Sequence, residues 1–117
     1  MTTESPLRSR LRSALLDARR ARDAETVSTI RTALAALENA EAVPAHGRAS
    51  GALEDAPVGA GATEAKRRVL SDADERAVLD AEIASLHEAG SAYAGSVPER
   101  AGAVRRAADV LTALRDA

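Results

Sequence analysis

Apolar residues recur at intervals of three and four along four stretches of the chain, and no stretch alternates as a half-buried strand would. The four apolar stripes are Leu7, Leu11, Ala14, Ala18 and Ala21, with Leu15 beside them; Val27, Ile30, Leu34 and Leu37; Leu79, Ile83, Leu86 and Tyr93, with Val78 beside them; and Val104, Ala107, Leu111 and Leu114. This spacing predicts four amphipathic helices, over residues of about 5–22, 24–42, 71–94 and 96–116.

Residues that favour N-cap positions stand at the start of each predicted helix. They are Ser5, Asp23, Ser71 and Ser96. An acid follows the last two serines at the third position, as Asp74 and Glu99, and this is the pattern of a reciprocal capping box. Pro6 falls in the first helical turn, where its missing N–H leaves no helical hydrogen bond unmade. The sequence therefore predicts where all four helices begin.

The segment 43–63 differs from the rest of the chain because it concentrates prolines and glycines. They are Pro44, Gly47, Gly51, Pro57, Gly59 and Gly61. This density of helix breakers predicts a long flexible loop, with one short helical turn near residues 52–55. The predicted fold is all-α and a single domain over residues 1–117. A helical hairpin at about 5–42 and the helices at about 71–94 and 96–116 pack as antiparallel hairpins or a helical bundle.

Composition limits the core and the compartment. Alanine, the strongest helix former, occurs 29 times, while Phe, Trp and Cys are absent and Tyr93 is the one aromatic residue. A thin core of Leu, Val and Ala is expected, without disulfides or thiolate metal sites. The N-terminus lacks the apolar segment of a signal peptide, and no apolar run is long enough to cross a bilayer. We therefore expect a cytoplasmic protein.

Few residues offer catalytic or metal-binding chemistry. His46 lies in the predicted loop and His87 on the third helix, and neither has a second histidine at ligand spacing. The sequence Gly59-Ala60-Gly61 follows no strand, so it indicates a linker and not a phosphate loop. The sequence therefore predicts no catalytic centre, no bound metal and no cofactor.

Acidic residues concentrate on the third helix. They are Asp72, Asp74, Glu75, Asp80, Glu82 and Glu88. Paired carboxylates can serve as general acid and base when burial separates their pKa values. These acids mostly alternate with the apolar stripe, so we expect them to form a solvated helix face.

Arginines concentrate on the first helix instead. Arg8, Arg12, Arg19 and Arg22 are spaced so that they share a helical sector of about 80° beside the apolar stripe. Such a guanidinium row fits phosphate or carboxylate partners. Two other interpretations stay open, namely an intramolecular match to the acidic third helix and a contribution to solubility alone. No aromatic residue lies among these arginines, so the pattern does not favour base stacking.

Parts of the sequence resemble the GatB/YqeY-like family. The matching segments are SPLRSRLR at 5–12, ARRARD at 18–23, TVSTIRTAL at 26–34 and ENAEA at 38–42, followed by LSDAD at 70–74 and the segment 101–114. The resemblance implies a short free-standing form, because longer members continue after the fourth helix into a second helical domain. That domain is the part most similar to the tRNA-associated tail of the aminoacyl-tRNA amidotransferase B subunit, and this sequence does not contain it.

The resemblance implies a helical accessory protein linked to tRNA-dependent amidation, a carbon–nitrogen ligase activity with glutamine as amide donor. Its expected partners are tRNA or the amidotransferase subunits, with the arginine row as the binding surface. The alternative function is a protein–protein adaptor of unknown partner. In that case the seam from Val27 to Leu37 would also pair between two chains, as a homo-oligomer.

Overall fold

The computed structural model describes residues 3–52 and 68–117, and for residues 43–52 it describes the helical backbone alone. These residues form four helices and no strand, which confirms the all-α class. The helices are α1 (Pro6–Arg20), α2 (Ala24–Ala52), α3 (Asp72–Tyr93) and α4 (Pro98–Asp116). None of the helices in the described part of the chain is long and apolar enough to cross a membrane.

The first two helices begin where their capping residues predict. The Ser5 hydroxyl accepts a hydrogen bond of 3.1 Å from the backbone N–H of Arg8, and Pro6 occupies the first helical turn of α1. The Asp23 carboxylate accepts a hydrogen bond of 3.1 Å from the backbone N–H of Thr26. Each cap satisfies a backbone donor that has no partner within its own helix.

The predicted capping boxes differ in outcome. Ser71 and Asp74 form the full reciprocal box of α3, with both side-chain-to-backbone hydrogen bonds at 3.0 Å. The box predicted at Ser96 is wrong, because Val97 occupies the N-cap of α4 and makes no side-chain cap bond. Pro98 accounts for the difference, since proline prefers the first helical position and thereby moves the N-cap one residue past the serine.

The four helices pack as two hairpins around one core. A turn over residues 21–23 joins α1 to α2, and a turn over residues 94–97 joins α3 to α4. Helix α2 contacts both α3 and α4, and α1 also contacts α4. The core comprises Leu7, Leu11, Ile30, Ala33, Leu34, Leu37, Leu79, Ile83, Ala108 and Leu111. Full burial of a leucine or isoleucine contributes about 1.5–3 kcal/mol, so these stripes carry most of the packing energy.

The apolar stripes are confirmed as the source of the core. Ile30 and Leu37 are fully buried, and the half-buried Leu86 and Leu114 pack against the core. Tyr93 and Val104 are half-buried. Ala21 is exposed, because α1 ends at Arg20 and no longer carries the helical spacing to this residue.

The loop predicted over residues 43–63 is wrong for residues 43–52, which continue α2. Two facts explain this. Extending an existing helix avoids the cost of nucleation, and alanines at 45, 49 and 52 favour the helix. Pro44 does remove one backbone donor, but it does not stop a helix already five turns long. The rest of the predicted loop, with the turn expected near residues 52–55, lies outside the described residues from position 53 onward.

Candidate anion-binding site

The four arginines predicted to form one row lie in different surroundings. Arg8 is largely buried, Arg12 is exposed and ion-paired, and Arg19 and Arg22 lie at the opposite end of α1. Helix α1 ends before Arg22, so the helical spacing that would align all four no longer applies there. The row is therefore divided between the two ends of the helix.

At the start of α1, Arg8 connects three helices. Its Nε donates to Glu75 Oε2 at 2.9 Å, and its Nη2 donates to Glu41 Oε2 at 2.7 Å. We call these three residues the Arg8 centre. Glu75 is 3% exposed, so the expectation that the acids of the third helix form a solvated face is wrong at this position. A buried carboxylate needs a paired, hydrogen-bonded cation, and Arg8 provides it.

The surroundings of Arg8 favour its charged form. Burial acts to lower the pKa of Arg8, but the hydrogen bonds and charges of Glu75 and Glu41 outweigh it and raise that pKa above its ordinary value. The second carboxylate oxygen of Glu75, Oε1, is buried and accepts no hydrogen bond from the described residues. Arg8 is thus occupied within the fold, as the intramolecular interpretation of the arginine row expects.

Arg12 also has an intramolecular partner. Its Nε donates to the carboxylate of Glu4, and both side chains are partly exposed. An exposed pair of this kind contributes little to stability and is easily displaced by solvent or salt.

At the other end of α1, arginines from both helices of the first hairpin line a shallow groove. We call it the basic groove, and the residues that line it are Arg19, Arg22, Ala24, Val27, Ser28, Arg31, Thr32 and Ala35. All three arginines are exposed. The other residues that line the groove have small or short side chains, so they leave room for a ligand beside the arginines.

The arginines of the basic groove have no acidic partner among residues 3–42 and 68–117. The acids nearest in sequence are engaged elsewhere. Asp23 accepts hydrogen bonds from the side chain and backbone of Thr26, and these lower its pKa. Glu25 pairs with Arg106 at 2.9 Å, and this hydrogen bond lowers the pKa of the carboxyl. Within the part of the chain that the structure describes, the positive charges of the groove are therefore not held in ion pairs.

Sequence reasoning identified two of the three arginines of the basic groove and missed Arg31. The one signal available was its position directly after the seam residue Ile30, at the border of the packed face of α2. Arg19 has the same relation to Ala18 on α1. Only the pairing of the two helices shows that both borders meet at one groove.

The remaining candidates from the sequence add no second site. His87 is exposed on α3, while the side chain of His46 and the segment Gly59-Ala60-Gly61 lie outside the described residues. Within the described side chains, no group of three or more His, Asp or Glu residues is placed to hold a metal ion. Comparison with protein-family models, curated proteins and solved structures finds no match to this chain.

Proposed function

We propose that this chain is a non-catalytic helical accessory protein that binds tRNA through the basic groove. The observation that carries the proposal is that three exposed arginines line one groove and that none of them pairs with an acid of the described residues. Arginine suits this role because its planar guanidinium donates two parallel hydrogen bonds to a phosphate and remains charged at all relevant pH values.

The link to tRNA comes from the resemblance of the chain to the GatB/YqeY-like family, which stays a prediction. The part of that family most similar to the tRNA-associated tail is the second helical domain, so the basic groove is proposed here as a different RNA-binding surface, on the first two helices. The proposed contribution of this chain to amidation is therefore the binding of an RNA or of an amidotransferase–RNA complex, while the carbon–nitrogen ligase chemistry belongs to its partner.

The charge distribution also predicts how this binding should depend on salt. The chain has a net charge of −2, so it does not attract nucleic acid as a whole, and the attraction is confined to the basic groove. Each phosphate contact contributes about 0.9 to the slope of log affinity against log salt concentration, so three contacts predict a slope between −2 and −3, roughly.

The test is a fluorescence anisotropy titration of labelled bulk tRNA at low and at physiological salt. One variant replaces Arg19, Arg22 and Arg31 by Gln. Its matched control replaces Arg20, Arg76 and Arg100 by Gln, which removes the same number of positive charges from exposed positions outside the groove. We expect the groove variant to lose binding and the control to bind as the wild type does.

Equal loss in both variants would show that only overall charge matters and would reject the groove. If the wild type binds tRNA at neither salt concentration, tRNA is rejected as the partner. The alternative adaptor function would then be favoured, with amidotransferase subunits as the first proteins to test. The helical seam is not a ready surface for that function, because Ile30, Leu34 and Leu37 are buried within the chain's own core.

A further inference from the structure

The turn between α1 and α2 holds an arginine in a backbone conformation that favours glycine. Within residues 3–52 and 68–117, Arg22 alone among the non-glycine residues has a positive φ, of 58°. The left-handed region is unfavourable for residues with a Cβ, because the Cβ approaches a neighbouring carbonyl oxygen.

The hydrogen bonds of the turn fix Arg22 in this conformation. The N–H of Arg22 donates to the carbonyl of Arg19 at 3.1 Å, and the N–H of Asp23 donates to the carbonyl of Ala18 at 2.9 Å. Together they form the two-bond motif that ends many helices, in which glycine usually occupies the left-handed position. Asp23 then caps α2 through Thr26, so the backbone on both sides of Arg22 is held.

A glycine would close this turn with less strain, but it would remove one of the three guanidinium groups of the basic groove. Strained residues held by their surroundings occur preferentially at functional sites. Arg22 also differs from Arg19 and Arg31 because it lies in a turn that is held by hydrogen bonds on both sides, whereas the other two lie on helices. Its backbone is therefore positioned before any ligand arrives.

We propose that Arg22 is a phosphate-contacting residue of the basic groove, and that its side chain strengthens binding at the expense of the stability of the hairpin. This inference rests on the proposed function. It predicts an effect that an arginine with a purely structural or a purely solubilising role would not produce. Replacement by glycine should change stability and binding in opposite directions.

The experiment compares Arg22→Gly with Arg22→Ala, and uses Arg20→Ala as the matched control. Arg20 is an exposed arginine two residues earlier that does not line the groove. Each protein is measured by thermal unfolding and by anisotropy with labelled bulk tRNA at two salt concentrations. Arg22→Gly should raise the melting temperature by about 4 °C. It should also weaken binding several-fold and reduce the magnitude of the salt slope by about 1.

Arg22→Ala should lose the same affinity without the increase in melting temperature, because alanine keeps the Cβ that disfavours the left-handed backbone. Arg20→Ala should change neither quantity. If Arg22→Gly binds as the wild type while Arg19→Ala and Arg31→Ala bind weakly, the role of Arg22 is rejected and the groove function stands. If Arg22→Gly loses affinity but Arg22→Ala does not, the shape of the turn and not the guanidinium is responsible. If the wild type does not bind, both proposals are rejected.

Discussion

The two ends of α1 use the same residue type for different purposes. At the start of the helix, Arg8 is saturated by Glu41 and Glu75 and connects α1 to α2 and α3. At the end of the helix, Arg19 and Arg22 face a groove that contains a third arginine and no acid. The difference arises from the surroundings of each end. Glu75, near the acidic start of α3, pairs with Arg8, whereas no acid of the described residues pairs with Arg19 or Arg22.

This contrast separates arginines that stabilise the fold from those available to a partner. An arginine with buried carboxylate partners cannot serve as a binding residue without breaking the structure. An exposed arginine whose neighbouring acids are already engaged can bind a partner at little structural cost. Replacing all four arginines of the predicted row would therefore confuse unfolding with loss of binding.

The largest expected effect follows from removing the cation of the Arg8 centre. Arg8→Met should lower the free energy of unfolding by about 3–5 kcal/mol, because it leaves the buried carboxylate of Glu75 without its partner. Urea denaturation followed by circular dichroism measures this change. The control is Arg12→Met, which removes an exposed ion pair and should cost no more than about 1 kcal/mol.

A second variant separates the buried charge from the packing of the Arg8 side chain. Adding Glu75→Leu to Arg8→Met removes the unpaired carboxylate and should recover more than half of the lost stability, because apolar side chains replace buried ion pairs with little penalty. An equal or larger loss in the double variant would mean that the packing of Arg8, and not its charge, holds this end of the helix.

Much of the fold follows from local sequence signals, and the Arg8 centre does not. Ser5, Asp23 and Ser71 act on backbone groups within three residues, so their effects are visible in the sequence. Arg8 and Glu75 are separated by 67 positions, and no local pattern indicates that they meet. For the same reason the sequence predicted a solvated face for the acids of α3, although Glu75 is buried.

The end of α1 shows a different limit of sequence reasoning. Residues 21–23 contain no glycine, so nothing in the sequence marks a left-handed helix end there. The predicted helix consequently ran to Arg22 and aligned it with Arg8. The two backbone hydrogen bonds of the turn span only three and five residues, but they hold Arg22 in a conformation that arginine rarely adopts, so residue preference alone does not predict it. The sequence thus predicted that arginines form the site and identified Arg19 and Arg22, but it did not predict Arg31 or the groove between the two helices.

An intermediate effect is expected where α3 begins, next to the Arg8 centre. Ser71→Ala removes the hydroxyl that caps α3 one turn before Glu75, and should cost about 1 kcal/mol of unfolding free energy. Ser96→Ala is the matched control, because Ser96 precedes α4 without a side-chain cap bond, and it should stay within about 0.5 kcal/mol of the wild type. If both variants lose the same amount of unfolding free energy, the two serines have the same role, and Ser71 is not distinguished from Ser96 by its cap bond.

The smallest effect on stability is expected in the basic groove. The double replacement Arg19→Gln and Arg31→Gln breaks no ion pair among the described residues, so it should change the free energy of unfolding by less than about 0.5 kcal/mol.

Inorganic phosphate then provides the sharper comparison of the wild type with this double variant. A ligand that binds only the folded protein stabilises it by about 0.4 kcal/mol when its concentration equals the dissociation constant, and this corresponds to roughly 2 °C in melting temperature.

Phosphate also stabilises proteins generally by exclusion from their surface, and that contribution is the same for the wild type and the groove variant. The difference between the two proteins therefore isolates binding at the groove. We expect phosphate to raise the melting temperature of the wild type more than that of the double variant, and Arg12→Gln to respond as the wild type does. If all three proteins respond identically, Arg19 and Arg31 bind phosphate no better than the ion-paired Arg12. The contrast between the two ends of α1 would then concern folding alone.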